Sequence, residues 1–151
     1  MNEILTCEGL SKRYGKGQTA LDGVELHLEP GRIVGLLGPN GSGKTTLIKL
    51  ANGLLQPSAG TVKIAGMPPG PETKALVSYL PDAAYLPDRM QVEQLVEMFR
   101  DFYADFDPNR AKEMLDRLSI SPKAALKSLS KGNKEKVQLI LAMSRRAKCY
   151  L

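Results

Sequence analysis

The stretch GPNGSGKTT, residues 38 to 46, combines residue types at a spacing that suits phosphate binding. It fits the pattern G-x-x-x-x-G-K-[ST], whose glycines let backbone N–H groups approach an anion without an intervening Cβ. Lys44 is placed to reach the β- and γ-phosphates of a nucleotide, and the Thr45 hydroxyl is placed to ligate Mg²⁺. We therefore predict a nucleotide-phosphate and Mg²⁺ site with these candidate residues: Gly38, Pro39, Asn40, Gly41, Ser42, Gly43, Lys44, Thr45 and Thr46.

The same pattern requires a buried strand before the loop and a helix after it. RIVGLLG, residues 32–38, is a short apolar run closed by glycine, which predicts a strand buried on both faces. KTTLIKLANGLL, residues 44–55, predicts a helix with Leu47, Leu50 and Leu54 near helical spacing. The positive end of that helix's dipole is expected to point at the same anion.

Two alternating stretches precede the loop and predict β structure. ILTCEGLSKRYG, residues 4–15, is typical of an edge strand, and TALDGVELHLEPG, residues 19–31, repeats the pattern before a Pro-Gly turn. His27, the single histidine, lies on the second stretch and is interpreted as an ordinary strand residue. GTVKIAG and ALVSYLP, residues 60–66 and 75–81, are two further strand candidates.

From Asp88 onward the sequence becomes mostly helical in pattern. Two amphipathic helices are predicted from apolar residues at helical spacing. The first set is Val92, Leu95, Val96 and Phe99, and the second, after Asp107-Pro108, is Ala111, Met114, Leu115 and Leu118. A last helix is predicted at about 131–147 with Ser130 as its N-cap, and CYL, residues 149–151, is expected to return the chain to the sheet.

Composition and charge limit the class of protein. The chain has 151 residues, of which 42% are hydrophobic and 25% charged, and no apolar run is long enough to cross a membrane. Two cysteines without CxxC spacing indicate a reducing, cytoplasmic setting. The net charge of +5 is concentrated in the last quarter. No aromatic residues are interleaved with these bases, so we favour a solvated helix face over nucleic-acid binding.

A phosphate-binding loop alone does not separate transport ATPases from GTPases, kinases or helicases. The stretch SLSKGNKEKVQLILA, residues 128–142, opens the last predicted helix. At this point the sequence resembles the nucleotide-binding domain of ATP-binding cassette (ABC) transporters, whose signature is LSGGQ followed by a basic helix start. Leu129, Ser130 and Gly132 match that signature, whereas Lys131 replaces the first glycine and Asn133 replaces the glutamine.

The resemblance implies roles for individual residues. Ser130 and the backbone N–H of Gly132 would contact the γ-phosphate of ATP held by a second subunit, and Lys131 either adds charge to that contact or points to solvent. Tyr14 stands where the family places an aromatic ring that stacks on adenine. Its alternative role is to pack the small antiparallel sheet at the end of a strand.

The stretch VSYLPDAAYLPD, residues 77–88, occupies the position of the family's Q-loop. A glutamine normally touches Mg²⁺ and the attacking water there, and Asp82 stands in that register. Its carboxylate would bind Mg²⁺ more strongly than an amide but would repel the γ-phosphate, so it either assists the metal or caps a turn. Residues 83–89 would lie near the groove that accepts a transmembrane partner's cytoplasmic helix, with Tyr85 and Leu86 as candidate contacts.

The fold that the resemblance implies is α/β: a P-loop NTPase (RecA-like) core with an N-terminal antiparallel β subdomain and a helical insert. The expected sections are an antiparallel β part at 1–30, a P-loop core at 31–82, a helical subdomain at 88–130, and the signature helix with the start of the next strand at 131–151. In the family, that next strand ends in Asp-Glu, which hold Mg²⁺ and polarise the attacking water, and the switch histidine follows later. No catalytic residue is therefore assigned within these 151 residues, and we interpret the chain as truncated before the carboxylates.

The leading hypothesis is an ATPase subunit of an ABC transporter, closest in pattern to bacterial exporters of the ABC-2 type. Its expected cofactors are ATP and Mg²⁺, and its expected partners are a transmembrane permease and a second nucleotide-binding subunit, on the cytoplasmic face of the membrane. Hydrolysis needs a positioned nucleophile as well as neutralised phosphate charge, so the chain by itself is expected to be impaired. The alternatives are a non-catalytic nucleotide-binding or dimerisation module and, disfavoured by the signature, a P-loop kinase or GTPase.

Overall fold

The computed structural model describes residues 3–151. The chain divides into two compact units, with the boundary in sequence between Val77 and Ser78. The first unit combines an antiparallel sheet with two helices, and the second is built mainly from three helices.

The sheet of the first unit has three antiparallel strands in the order β2-β1-β3. These are β1 (Leu5–Tyr14), β2 (Gln18–Leu28) and β3 (Ala59–Ile64). The prediction that residues 4–15 form an edge strand is therefore wrong, because β1 is the central strand. The partner on its second side comes from a segment about fifty residues away in sequence, and no local pattern indicates such a pairing. The strands predicted around β2 and β3 are confirmed.

The most deeply buried residues of the sheet are apolar and lie on β1 and β3. Cys7 and Leu10 of β1 and Ile64 of β3 are completely buried. Burial, with a smaller contribution from the charge of Glu25, raises the pKa of the Cys7 thiol to about 11. Cys7 is therefore a neutral core residue at physiological pH and not a nucleophile.

The helix after the loop, α1 (Lys44–Ala51), packs against β2 and β3. Its buried residues include Leu47 and Leu50, as the helical spacing predicted. Leu54 lies beyond the helix and is exposed, because Gly53 adopts a left-handed conformation with φ of 67°. Backbone bonds from Gly53 N to Leu50 O and from Leu54 N to Lys49 O complete a Schellman motif that ends the helix.

The segment before the loop departs from its prediction. Residues 32–39 form neither strand nor helix, and Ile33 and Leu37 have exposed fractions of 104% and 92%. A strand buried on both faces needs hydrogen-bonded neighbours and covering layers, and none of the described strands pairs with this segment. The apolar composition alone therefore did not make it a strand.

The stretch 75–81 is only partly a strand. A short helix, α2 (Pro71–Leu76), runs into it, and β4 (Val77–Ser78) is two residues long. Thr73 holds the start of α2, since its hydroxyl accepts from Gly70 N–H at 2.7 Å and donates to Gly70 O at 3.0 Å. The strand predicted at CYL is present as β5 (Cys149–Tyr150), but it pairs with β4 in a separate two-stranded sheet and does not join the three-stranded one.

The second unit contains α3 (Val92–Phe102), α4 (Pro108–Arg117) and α5 (Lys131–Met143). All three predicted helices are confirmed, although α5 ends four residues before the predicted boundary. Their apolar faces and residues of the connecting segments form one core: Leu86, Val92, Leu95, Phe99, Phe106, Ala111, Leu115, Ile120, Leu126, Val137, Ile140 and Leu141. Among the helices formed by the described residues, none combines the length and apolarity needed to cross a bilayer.

Polar contacts fasten the α3–α4 connection to the end of α5. The Arg145 guanidinium, almost fully buried, donates to both carboxylate oxygens of Asp105 at 3.0 and 3.1 Å. Asp107 caps α4 by accepting from the N–H groups of Asn109 and Arg110. The hydrogen bond from Arg146, followed by these backbone bonds, lowers the pKa of the Asp107 carboxyl. The Arg145–Asp105 and Arg146–Asp107 pairs thus connect the residues that follow α5 to the segment that leads into α4.

Gly60 provides a test of the sheet. It has φ of 74°, and a Cβ there would collide with the carbonyl oxygen of Gly9. We expect Gly60→Ala to lower the free energy of unfolding by more than about 2 kcal/mol, because backbone strain and collision add. Urea denaturation followed by circular dichroism measures this loss.

Gly66→Ala is the matched control, since Gly66 has φ of 79° but nothing lies within 4 Å of its added Cβ. It should cost only the left-handed conformation, about 1 kcal/mol. Equal losses in the two variants would contradict the close approach of β3 to β1.

Candidate functional site

The loop of residues 38–43 is shaped by glycines in conformations that other residues avoid. Gly41 and Gly43 have φ of 85° and 92°. A Cβ on Gly43 would collide with the carbonyl oxygen of Ala20 on β2 and lie 2.7 Å from Leu21 Cδ2. The glycine at this position therefore lets the start of α1 lie directly against β2.

Lys44 folds back over the loop that precedes it. Its Nζ donates to Gly38 O at 2.6 Å, to Pro39 O at 2.7 Å and to Ser42 Oγ at 3.3 Å. These are neutral acceptors, so phosphate oxygens can replace them with stronger, charge-assisted bonds. The loop therefore holds one ammonium group within reach of its own backbone N–H groups.

The first turn of α1 adds free donors to this charge. Within the described residues, the backbone N–H groups of Lys44, Thr45 and Thr46 make no hydrogen bond. The turn contains no acidic residue. The helix end therefore presents uncompensated partial positive charge beside the Lys44 ammonium, an arrangement suited to an anion.

Tyr14 lines the same cavity as residues of the loop. A cavity of about 260 Å³ is lined by Tyr14, Gln18, Thr19, Ala20, Asn40, Gly41, Gly43, Lys44, Thr45 and Thr46. The Tyr14 hydroxyl lies 3.3 Å from Thr46 Oγ1, and Lys12 Nζ lies 5.4 Å from the centroid of the Tyr14 ring. The structure thus brings Tyr14 together with six of the nine predicted loop residues. The other three, Gly38, Pro39 and Ser42, do not line the cavity and instead accept from Lys44 Nζ.

Three lining residues were missed by the sequence analysis. Gln18, Thr19 and Ala20 open β2, directly after a turn at residues 15–17. That turn pairs Tyr14 with Gln18 across the hairpin, so both strands present their ends to the cavity. The two glycines of the turn were the available signal, since closely spaced glycines between alternating stretches indicate a hairpin.

The candidate metal ligands occupy different units. Thr45 is exposed and lines the cavity, so its hydroxyl is available to a cation held by phosphate oxygens. Asp82 is exposed in the second unit, and no described hydrogen bond supports the alternative that its carboxylate caps a turn. No group of three or more His, Cys, Asp or Glu side chains positioned for a metal occurs within residues 3–151.

The residues that match the family signature begin α5 in the second unit. Ser130 is the N-cap, and its Oγ accepts from Asn133 N–H at 3.2 Å. Gly132 is exposed, and a Cβ added to it would meet nothing within 4 Å. Lys131 is largely exposed, with its Nζ 3.9 Å from Glu135 Oε1. The chain's own packing therefore does not require glycine at this helix start.

The structure also shows the positions of three other residues for which the sequence predicted a role. His27 lies on β2 with its Nδ1 3.1 Å from Glu3 Oε1, as expected of an ordinary strand residue. Tyr85 is exposed and remains available to a partner. Leu86 is buried in the core of the second unit, so its proposed role as a partner contact is wrong.

Comparison with known proteins identifies the family. The ABC transporter family matches residues 21–151 of this chain. The ABC transporter ATP-binding protein YtrB of Bacillus subtilis (strain 168) is 34% identical over 132 residues, which cover 86% of this chain and 45% of that protein. The daunorubicin resistance ATP-binding protein DrrA3 of Streptomyces coeruleorubidus is 31% identical over 147 residues, covering 92% and 46%. The chain thus spans just under half the length of these two relatives.

A solved structure extends the comparison to the fold. The structure of an ATP binding subunit of an ABC transporter superimposes with a TM-score of 0.86 at 29% identity, covering 97% of this chain and 64% of that one. The predicted class, a P-loop NTPase with an antiparallel β subdomain, is thereby confirmed. Because the family match extends over most of the sequence, this chain belongs to the ABC transporter family and is similar to its ATP-binding proteins.

Proposed function

We propose that this chain binds ATP through residues 38–46 and Tyr14, and that the whole protein hydrolyses ATP to drive a membrane transporter. One observation carries the proposal: Lys44, the free N–H groups of α1 and an aromatic ring line the same cavity. A nucleoside triphosphate carries the two features that this combination can recognise, a polyanion and a flat base.

The phosphate end of the site works through backbone and charge. The N–H groups of the loop and of the first turn of α1 donate to phosphate oxygens, while Lys44 exchanges its carbonyl partners for them. Each hydrogen bond to a charged group contributes about 1.5–3 kcal/mol, so a few of them suffice for micromolar affinity. Thr45 is the residue that would hold Mg²⁺ beside the phosphates, where the ion neutralises charge between them.

The base end of the site is Tyr14. Its ring is partly exposed at the edge of the cavity, and its hydroxyl is held by Thr46. A ring in this setting can stack on adenine without a large change in conformation. Stacking does not discriminate strongly between bases, so the preference for ATP over GTP rests on the family and needs a direct comparison.

The start of α5 supplies the second proposed contact with nucleotide. Ser130, Gly132 and the first N–H groups of α5 face solvent, and the open space at Gly132 allows an outside group to approach the backbone. Glycine near a helix start lowers helix stability by up to about 1 kcal/mol. Hydrogen bonds to a closely approaching phosphate would offset that loss. We propose that this surface contacts ATP bound by a second subunit in a head-to-tail dimer.

Hydrolysis is proposed for the whole protein rather than for these residues alone. In the family, the carboxylates that position Mg²⁺ and the attacking water follow the strand that begins at Cys149. The proposed partner is a transmembrane permease, which places the protein at the cytoplasmic face of the membrane. The alternative is a non-catalytic module that acts by pairing with an intact subunit.

Lys44→Ala tests the phosphate site. We expect it to weaken ATP binding to the 151-residue chain at least about tenfold, because the variant loses the one ammonium held by the loop. Isothermal titration calorimetry with Mg-ATP and Mg-GTP measures the affinities. Lys49→Ala, on the same helix, is the control and should change affinity by less than about twofold. Unchanged affinity in Lys44→Ala would refute the site, and selectivity for GTP would favour the GTPase alternative.

Substitutions of Tyr14 separate its two possible roles. Tyr14→Phe keeps the ring and should retain ATP affinity within about twofold, whereas Tyr14→Ala should lose at least about fivefold, since stacking on a base contributes about 1–3 kcal/mol. For both variants, titration with ATP measures the affinity and urea denaturation measures the stability. A Tyr14→Ala variant that is less stable but binds ATP normally would assign the ring to sheet packing.

Turnover separates the enzyme from the binding module. We expect the full-length protein to release phosphate from ATP and the 151-residue chain to bind ATP without comparable release, since a nucleophile must be positioned for transfer. A phosphate-release assay at saturating ATP measures both. Turnover by the 151-residue chain at about 1 per second or faster, a typical enzymatic rate, would show that it needs no further carboxylates.

A further inference from the structure

The segment Leu86–Gln91 is bonded to the residues that lead into α5. Asp88 O accepts from Lys127 N–H at 2.7 Å, and Met90 O accepts from Leu126 N–H at 2.9 Å. The Asp88 carboxylate accepts from Lys134 Nζ at 3.0 Å. Asp88 therefore contacts both the turn before Ser130 and the first turn of α5.

The charge of Asp88 compensates for an unfavourable arrangement in α5. Lys134 is the fourth residue of α5, at the end of its first turn, where the helix dipole disfavours a cation. The first turn contains no acidic residue of its own, so Asp88 supplies a carboxylate from 46 residues away in sequence. The Lys134 side chain is only 27% exposed, which reduces screening of the pair by solvent.

We infer that Asp88 is a positioning residue: through Lys134 and Lys127 it holds Ser130 and Gly132 at the start of α5 in the geometry that meets nucleotide. The inference rests on the proposed function for its consequence in ATP turnover. A displacement of the segment Leu86–Gln91 would move the start of α5 with it.

The first test follows the position of α5 without reference to ATP. Asp88→Asn keeps the size of the side chain but removes its charge, so it should raise amide hydrogen exchange at residues 133 and 134, whose N–H groups bond to Ser130, at least about threefold. Exchange at residues 138–142 should stay unchanged, and the melting temperature should fall by no more than about 4 °C, because Asp88 is largely exposed. Unchanged exchange at residues 133 and 134 would overturn the positioning role, whatever the protein does with ATP.

The second test uses the full-length protein and its ATPase kinetics. Asp88→Asn and Lys134→Met should each lower kcat about tenfold and leave KM for ATP within about twofold, because the ATP held by residues 38–46 is untouched. The double variant Asp88→Lys with Lys134→Asp restores opposite charges and should recover most of the rate. Glu113→Gln, which breaks an exposed ion pair with Arg117 on α4, is the control and should leave both constants unchanged.

The outcomes separate the inference from the proposed function. A wild-type protein that fails to bind ATP in titration would refute the proposed function, while the exchange experiment would still decide the positioning role. A wild-type protein that binds and hydrolyses ATP, combined with an unchanged kcat in Asp88→Asn, would overturn the link between Asp88 and turnover. Failure of the charge exchange to recover the rate would overturn the ion pair as its basis.

Discussion

The close approach of Gly43 to the Ala20 carbonyl is the constraint on which the first unit depends. Only a residue without Cβ fits there at a φ of 92°, and this contact sets the start of α1 against β2. Because the hairpin turn pairs Tyr14 with Gln18, the aromatic ring reaches the same end of the sheet. The Lys44 ammonium, the free N–H groups and the ring therefore line one cavity as a result of backbone geometry.

The second unit is organised around α5. Its buried face, including Val137, Ile140 and Leu141, completes the core formed by α3 and α4. Polar contacts then hold its two ends: Asp88 at the first turns, and the Asp105–Arg145 pair beyond the last. A helix held at both ends can present Ser130 and Gly132 at a defined position. Hydrogen bonds to phosphate require such a fixed position of the donor groups.

The local patterns of the second unit predicted its helices accurately. The helices α3, α4 and α5 followed from apolar spacing, and Asp107 and Ser130 cap their helices because short polar side chains bond nearby N–H groups. Predictions that depended on distant partners failed. The central position of β1 follows from its pairing with β3, and the apolar run at residues 32–38 lacks paired neighbours. Neither fact is contained in the few residues around the segment concerned.

The sequence by itself determined the phosphate-binding loop, the helix start that resembles the family signature, and the family to which both point. These features depend on residue type at fixed short spacing, which needs no knowledge of the fold. Tertiary structure alone decided that Gln18, Thr19 and Ala20 line the cavity, that Leu86 is buried, and that Asp88 reaches Lys134. Those contacts join residues that are distant in sequence or set by packing, and their geometry exists only once the sheet and the helical core have formed.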